Sequence, residues 1–176
     1  MRNLFCFSLL TLYCITITAS FCFGANDNAI LAKQWETRGD WDAAGRSWAY
    51  ATKETNNLNK SAFYFGESAK CFLKIERVNT ATIMMSNIKM DASDKGKKAF
   101  AKLIPKLEEV SWRVAQKGEI DEALSGLEFI ANEQPKKRQK LADTAIKKGF
   151  PQIAAKLLNK DKDNIENDDG SNIEEK

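Results

Sequence analysis

A few side chains in this chain could do chemistry, and each needs a partner. Glu67-Ser68 sets a carboxyl beside a hydroxyl, and a glycosidase acid is a carboxyl whose pKa is raised within a shaped cleft. Cys71 carries a thiol, nucleophilic only as the thiolate. PKKRQK, residues 135–140, gathers four cations of the kind that meet phosphate. DNIENDDG, residues 163–170, gathers oxygen ligands. Against all of these stands the absence of histidine, the side chain most used as a general base and zinc ligand near neutral pH. Cys71 therefore has no evident base and is expected to be a small buried hydrophobe. The acidic segment lacks the ligand spacing of an EF-hand loop. PKKRQK falls at a helix start, where positive charge opposes the dipole, and fits a solvated turn or a contact for the chain's own acidic tail. Glu108-Glu109 and Asp121-Glu122 fit helix-surface charge and acidic first turns. No catalytic residue, metal site, cofactor or nucleic-acid partner is expected.

The elements that would position these residues are helices. TRGDWDAAGRSWAYA, residues 37–51, places a glycine turn and an acidic helix start before apolar residues spaced by three and four. QKGEIDEALSGLEFIA, residues 116–131, overlays it: Gly118 on Gly39, Ile120 on Trp41, Asp121 on Asp42, Ala123 on Ala44, Leu127 on Trp48 and Ile130 on Ala51. Two weaker copies follow the same order. Residues 145–158 supply Gly149, Ala154 and Leu158, with Ala142 upstream; residues 68–88 supply Ala69, Ala81, Met85 and Ile88, with Glu76 in place of the glycine. The alanines at 44, 81, 123 and 154 stand 37, 42 and 31 residues apart. Asn79 is suited to cap one second helix, and Pro151 to open another. No alternating strand pattern is present outside the first two dozen residues.

Ala32, Trp35, Gly39, Ala44, Trp48 and Ala51, with Pro135 closing the third copy, resemble the tetratricopeptide repeat family, whose unit is a helix-turn-helix of about 34 residues. The resemblance covers residues 28 to 160. It implies an all-α fold, a right-handed α-solenoid of about four hairpins in which each pair covers the apolar face its neighbour cannot bury alone. It further implies a concave face lined by the first helix of each pair. The register puts Lys33, Phe63, Lys70, Lys74, Trp112, Lys136 and Lys147 near that face. Lysines that attract at long range beside aromatic anchors suit an extended peptide or protein segment bearing acidic groups. The implied function is a non-catalytic scaffold or adaptor. Two alternatives stand beside it: a structural subunit with no peptide groove, and a peptidoglycan-cleaving enzyme of the kind built on helical superhelices with a glutamate followed by serine. For the last, Glu67-Ser68 matches, but the glycine-rich segment that accompanies it is missing.

The two ends differ from the middle. MRNLFCFSLLTLYCITITASFCFG, residues 1–24, has one charge, Arg2, then an apolar run and small residues, the order of a secretory signal peptide. Cleavage after Gly24 is expected, with Ser20 as the alternative; an uncleaved membrane anchor or a lipid-modified Cys22 fits less well. The expected location is the periplasm or secreted space, with membrane contact only through an uncleaved leader. Cys6, Cys14 and Cys22 lie in this segment, which leaves Cys71 without a disulfide partner. Residues 25–160 form the expected helical domain. Residues 89–102, polar and containing Gly96, look like a connector, with Pro105 opening the next helix. Residues 161–176 carry seven acidic and two basic side chains, a net of −5, and are expected to be disordered. Residues 25–160 carry 24 basic and 17 acidic side chains, a net of +7.

Overall fold

The computed structural model describes residues 27–90 and 94–165. Residues 1–24, expected to be a leader, and the end of the acidic segment, residues 166–176, lie outside the described residues. Within them are eight α-helices and no strand: α1 (Asp27–Arg38), α2 (Trp41–Ala51), α3 (Leu58–Lys74), α4 (Val78–Met90), α5 (Asp94–Gln116), α6 (Ile120–Glu133), α7 (Arg138–Lys147) and α8 (Pro151–Ile165). Short 3-10 turns, Thr52–Glu54 and Pro135–Lys137, lead from α2 toward α3 and from α6 into α7.

The odd-numbered helices end in the same way. Gly39, Gly118 and Gly149 have φ of +77°, +90° and +84°, and Glu76 has φ +61°. At each turn the next residue's N–H reaches back to the carbonyl five positions earlier: Asp40 to Trp35, Arg77 to Phe72, Glu119 to Val114 and Phe150 to Ala145. This closure satisfies helix-end carbonyls that would otherwise have no partner. Glycine enters the left-handed region freely, whereas another residue is strained there by about 1–2 kcal/mol. Glu76 accepts that strain while its carboxylate reaches α5, bonding Arg113 at 2.9 Å and pairing with Lys117.

The turn residue sets the packing register. Seven positions before it stand Ala32, Ala69, Ser111 and Ala142, and five positions after it Ala44, Ala81, Ala123 and Ala154, none more than 3% exposed. Small side chains at these places let paired helices approach closely. Trp48, Met85 and Leu127 fill the next layer as buried side chains, and partly buried Leu158 packs on the core in the fourth pair. Gly126 marks the tightest approach: a Cβ there would lie 2.2 Å from Ser111 Oγ and 2.5 Å from Val78 Cγ1. Each helix packs on the next in order, and α3 also packs on α5, α4 on α6 and α6 on α8. Apolar burial falls into a small N-terminal cluster centred on Trp48 and a larger one running from Ala62 to Leu157.

Several helix ends differ from expectation. Asp40 caps α2 by accepting from the Ala43 N–H at 3.0 Å, and Asn57 caps α3 through Lys60 N–H at 3.1 Å. Asn79 does not cap α4 with its side chain. Its N–H donates to Glu122 Oε1 at 2.8 Å, so a carboxylate from α6 satisfies the α4 terminus, and its side-chain oxygen accepts from Ser125 at 3.3 Å. Pro151 opens α8 as expected. Pro105 lies inside α5 instead of starting it. The helix tolerates one absent N–H bond because Leu103, Ile104 and Leu107 bury that turn. The connector expected over residues 89–102 is thus mostly helix on both sides of residues 91–93. At the other end α8 continues to Ile165, so the first five residues of the acidic segment have helical backbone.

Substitutions should separate backbone strain from packing. Gly118→Ala, with open space around the added methyl, should cost about 1 kcal/mol. Gly126→Ala must displace Ser111 and Val78 and should cost more, about 1–3 kcal/mol. Trp48→Ala should cost about 3–5 kcal/mol. Urea denaturation midpoints measure all three, and equal losses for the two glycine variants would contradict the assigned register.

Candidate functional site

Residues expected on the ligand face fall into two neighbouring regions and one distant one. The central region lies between α3 and α5. On α3 the spacing of Phe63, Glu67, Lys70 and Lys74 puts them on one side of the helix, and on α5 Lys95, Lys98, Lys102 and Lys106 do the same. Phe63, Lys70, Lys95, Lys98, Lys102 and Glu67 line one recess. Lys74, Lys102, Lys106, Glu109 and Arg113 line the next. Lys102 borders both, so the recesses form one continuous groove. Their linings advance together along both helices, and a Cβ at Gly66 would lie 3.9 Å from Ala99 Cβ, so α3 and α5 run side by side in the same direction.

The charge in this groove is unbalanced. Lys70 pairs with Glu67 at 2.5 Å, Arg113 is bonded to Glu76 and lies 3.6 Å from Glu109, and Lys74 Nζ sits 3.2 Å from the centroid of the Trp41 ring. Lys95, Lys98, Lys102 and Lys106 have no ion pair among the described residues. Phe63 is half-exposed at the head of the groove, its ring edge-on to Trp48 at 5.9 Å. Three cations of the α5 row were hidden from sequence reasoning because residues 89–102 look like a connector; only a helix brings them to one side.

The N-terminal region is organised by Glu36. Lys33 Nζ approaches it at 2.7 Å, Trp48 Nε1 donates to Oε1 at 2.7 Å, and Cys71 Sγ lies 3.8 Å from the same oxygen. Burial works to raise the Glu36 pKa, but the Lys33 and Trp48 hydrogen bonds and the Lys33 charge together hold it below the usual carboxylate range. The Glu36 bond in turn raises Lys33. Trp48 stacks on Tyr64 at 5.4 Å, and Lys33 Nζ lies 5.1 Å from the Trp48 centroid. Lys33 thus lines an apolar recess with Ile30, Trp48 and Tyr64, next to Phe63. Burial, then the neighbouring Glu36 and Glu67, push the Cys71 thiol up to about 12.

The remaining candidates are placed differently. Trp112, expected on the groove surface, is 7% exposed and packs in the larger core, with Lys148 Nζ 5.9 Å from its ring centroid. Its neighbours Ser111 and Val114 are both buried, and the wide apolar stripe of α5 takes the ring inside. Lys136 sits on the 3-10 turn before α7, and Lys147 ends α7; both are exposed. In PKKRQK, Arg138 donates to the Leu157 carbonyl at 3.2 Å and to Asn132 Oδ1 at 3.0 Å, and Lys137 lies 3.9 Å from Glu108, so part of the run ties helices together. Ser68 is fully buried and donates to the Gly45 carbonyl at 2.7 Å, and its neighbour Glu67 is the Lys70 partner. Among the described residues no group of three or more Cys, Asp and Glu side chains could hold a metal ion, and no helix is long and apolar enough to cross a membrane. Comparison of the chain with family models, curated proteins and solved structures returns no significant match.

Two measurements follow. With its pKa depressed below 4.5 in the fold, Glu36 contributes stability above pH 4.5 that is lost as pH falls through the folded value. The gap in urea midpoint between wild type and Glu36→Gln should therefore be present at pH 7 and shrink on acidification; a gap independent of pH would contradict the assigned ionisation. Cys71 should resist a disulfide reagent at pH 8 in the native protein and react at once in denaturant.

Proposed function

We propose that this chain is a non-catalytic binding scaffold, a right-handed tetratricopeptide-like α-solenoid of four hairpins that holds an acidic peptide or protein segment in the α3/α5 groove. The observation that carries the binding reading is the row Lys95, Lys98, Lys102 and Lys106, four cations on one side of a helix without an anionic partner among the described residues. Like charges three and four positions apart repel one another, a cost without structural return. Lys70 and Lys74 face the row from α3, and half-exposed Phe63 offers an apolar anchor at its head. Lysines of this kind attract a ligand at long range, and the aromatic ring supplies contact area once it arrives. Lys33 would extend the surface toward α1, and Lys136 and Lys147 toward α7. Support for the solenoid comes from the turn that recurs four times and from packing that, among the described residues, is most extensive between helices one or two apart in order. The leader-like order of residues 1–24 supports a location in the periplasm or secreted space.

Fluorescence anisotropy with short labelled peptides tests the binding. A peptide of alternating acidic residues with one aromatic should bind, and its Asn/Gln counterpart should bind at least tenfold more weakly, a difference of about 1.4 kcal/mol. Lys98→Glu with Lys102→Glu should abolish the preference while circular dichroism stays unchanged. Raising salt from 50 mM to 500 mM should weaken the acidic peptide most. Equal affinity for acidic and neutral peptides would refute this reading.

A further inference from the structure

We propose that the partner of the α3/α5 groove is bipartite: an apolar block that seats in the recess beside α1, joined directly to a short acidic run on the lysine row. This rests on the peptide-binding reading of the groove and adds what the partner must carry and in what order. The α1 recess is lined by Ile30, Lys33, Trp48 and Tyr64. Trp48 and Tyr64 are 2% and 8% exposed and form an aromatic floor, while Ile30 at its edge is 49% exposed. The only charge that lines it among the described residues is Lys33, whose amine is already held by Glu36 at 2.7 Å. An acidic side chain gains little there, whereas an apolar one covers Ile30 and the rings. Scattered exposed apolar residues need no explanation. Ile30 and half-exposed Phe63, however, flank the same two buried rings, the kind of place where interface anchors sit.

The two regions are joined in a fixed order. Phe63 lies edge-on to Trp48 at 5.9 Å and 5.8 Å from Tyr64, and it also lines the recess that holds Lys70, Lys95 and Lys98. It is therefore the boundary between the apolar recess and the cationic groove. The lysine row runs from Lys95 away from that boundary to Lys106, where Lys74, Arg113 and Glu109 join the lining and no aromatic ring does among the described residues. The row thus has an aromatic anchor at one end and cations at the other. A uniform acidic peptide could slide along four similar cations, whereas an apolar block at one end fixes its register and direction. The row is about 17 Å long on a helix, which an extended strand covers with about five residues. Charge brings the acidic run to the row and burial of the block holds it there, so order as well as composition is recognised.

The test uses the full chain and three labelled peptides of one composition. Each has six glutamates and a Leu-Trp pair, placed before, after or in the middle of the acids; six glutamates alone serve as a fourth probe. One end-placed peptide should bind at least tenfold more tightly than the centre-placed one. Ile30→Ser and, separately, Phe63→Ser should erase that advantage and leave the affinity for the glutamates alone unchanged, with circular dichroism as the check on folding. Lys98→Glu with Lys102→Glu should weaken all four probes. With benzoylphenylalanine in place of the peptide tryptophan, light should crosslink the tighter peptide to residues 29–37 of wild type. Equal binding by the three placements would overturn the ordered partner and leave the groove's function standing. An advantage that survives both serine variants, or crosslinks confined to α5 and α7, would overturn it as well. Binding of the Leu-Trp peptides that ignores the lysine substitutions would place the whole contact in the apolar recess, against the proposal. Failure of every probe to bind would remove both the groove reading and this one.

Discussion

The structure depends on a backbone constraint: each odd-numbered helix must stop and reverse within a residue or two. A single left-handed residue does this at positions 39, 76, 118 and 149. Its own N–H and that of the next residue both reach back to helix-end carbonyls, which gives those carbonyls partners. A fixed turn fixes what faces what. The position seven before it and the position five after it are buried in every pair, and only alanine or serine is found there. Close approach then determines the next layer, where Trp48, Met85 and Leu127 are buried at equivalent places. Glu76 shows the hierarchy of these demands: the left-handed conformation persists without glycine because the carboxylate gains Arg113 and Lys117 from the following pair.

Charge is used differently at the turns and in the groove. Along the turns, neighbouring pairs are joined by opposite charges: Arg77 with Asp42 at 2.7 Å, Lys117 with Glu76, and Lys156 with Asp121 at 3.3 Å. Exposed pairs of this type each contribute little, roughly 0–1 kcal/mol, and Glu122 satisfies a helix terminus as well. In the α3/α5 groove the lysines of α5 are left to repel one another. A stretch that breaks a local rule without structural return is where function is to be sought, and the proposed peptide scaffold is built on that imbalance.

The same packing engages several polar side chains. Cys71 is buried with its thiol pushed up to about 12, and the Ser68 hydroxyl is bonded to a backbone carbonyl. Glu36 is spent on Lys33 and Trp48. Of the groups singled out in the sequence, Cys71 and Ser68 are buried and Glu67 is paired with Lys70.

The sequence by itself determined the helix pairs and their register. Gly39, Gly118 and Gly149 announce the turns, because glycine marks left-handed backbone, and the alanines that follow them announce close packing, because a small side chain is needed wherever two backbones approach. It also carried Glu76 as the replacement turn residue, since the flanking pattern continued through it. Tertiary structure alone decided the continuity of α5 through Pro105, because burial of Leu103, Ile104 and Leu107 outweighs a lost hydrogen bond that local rules count as a stop. It alone lined up Lys95 to Lys106 on one side, turned Trp112 inward, and gave the α4 terminus a carboxylate from α6 in place of the Asn79 side chain. These outcomes depend on what lies opposite each residue in space, and residues far apart in the chain supply it.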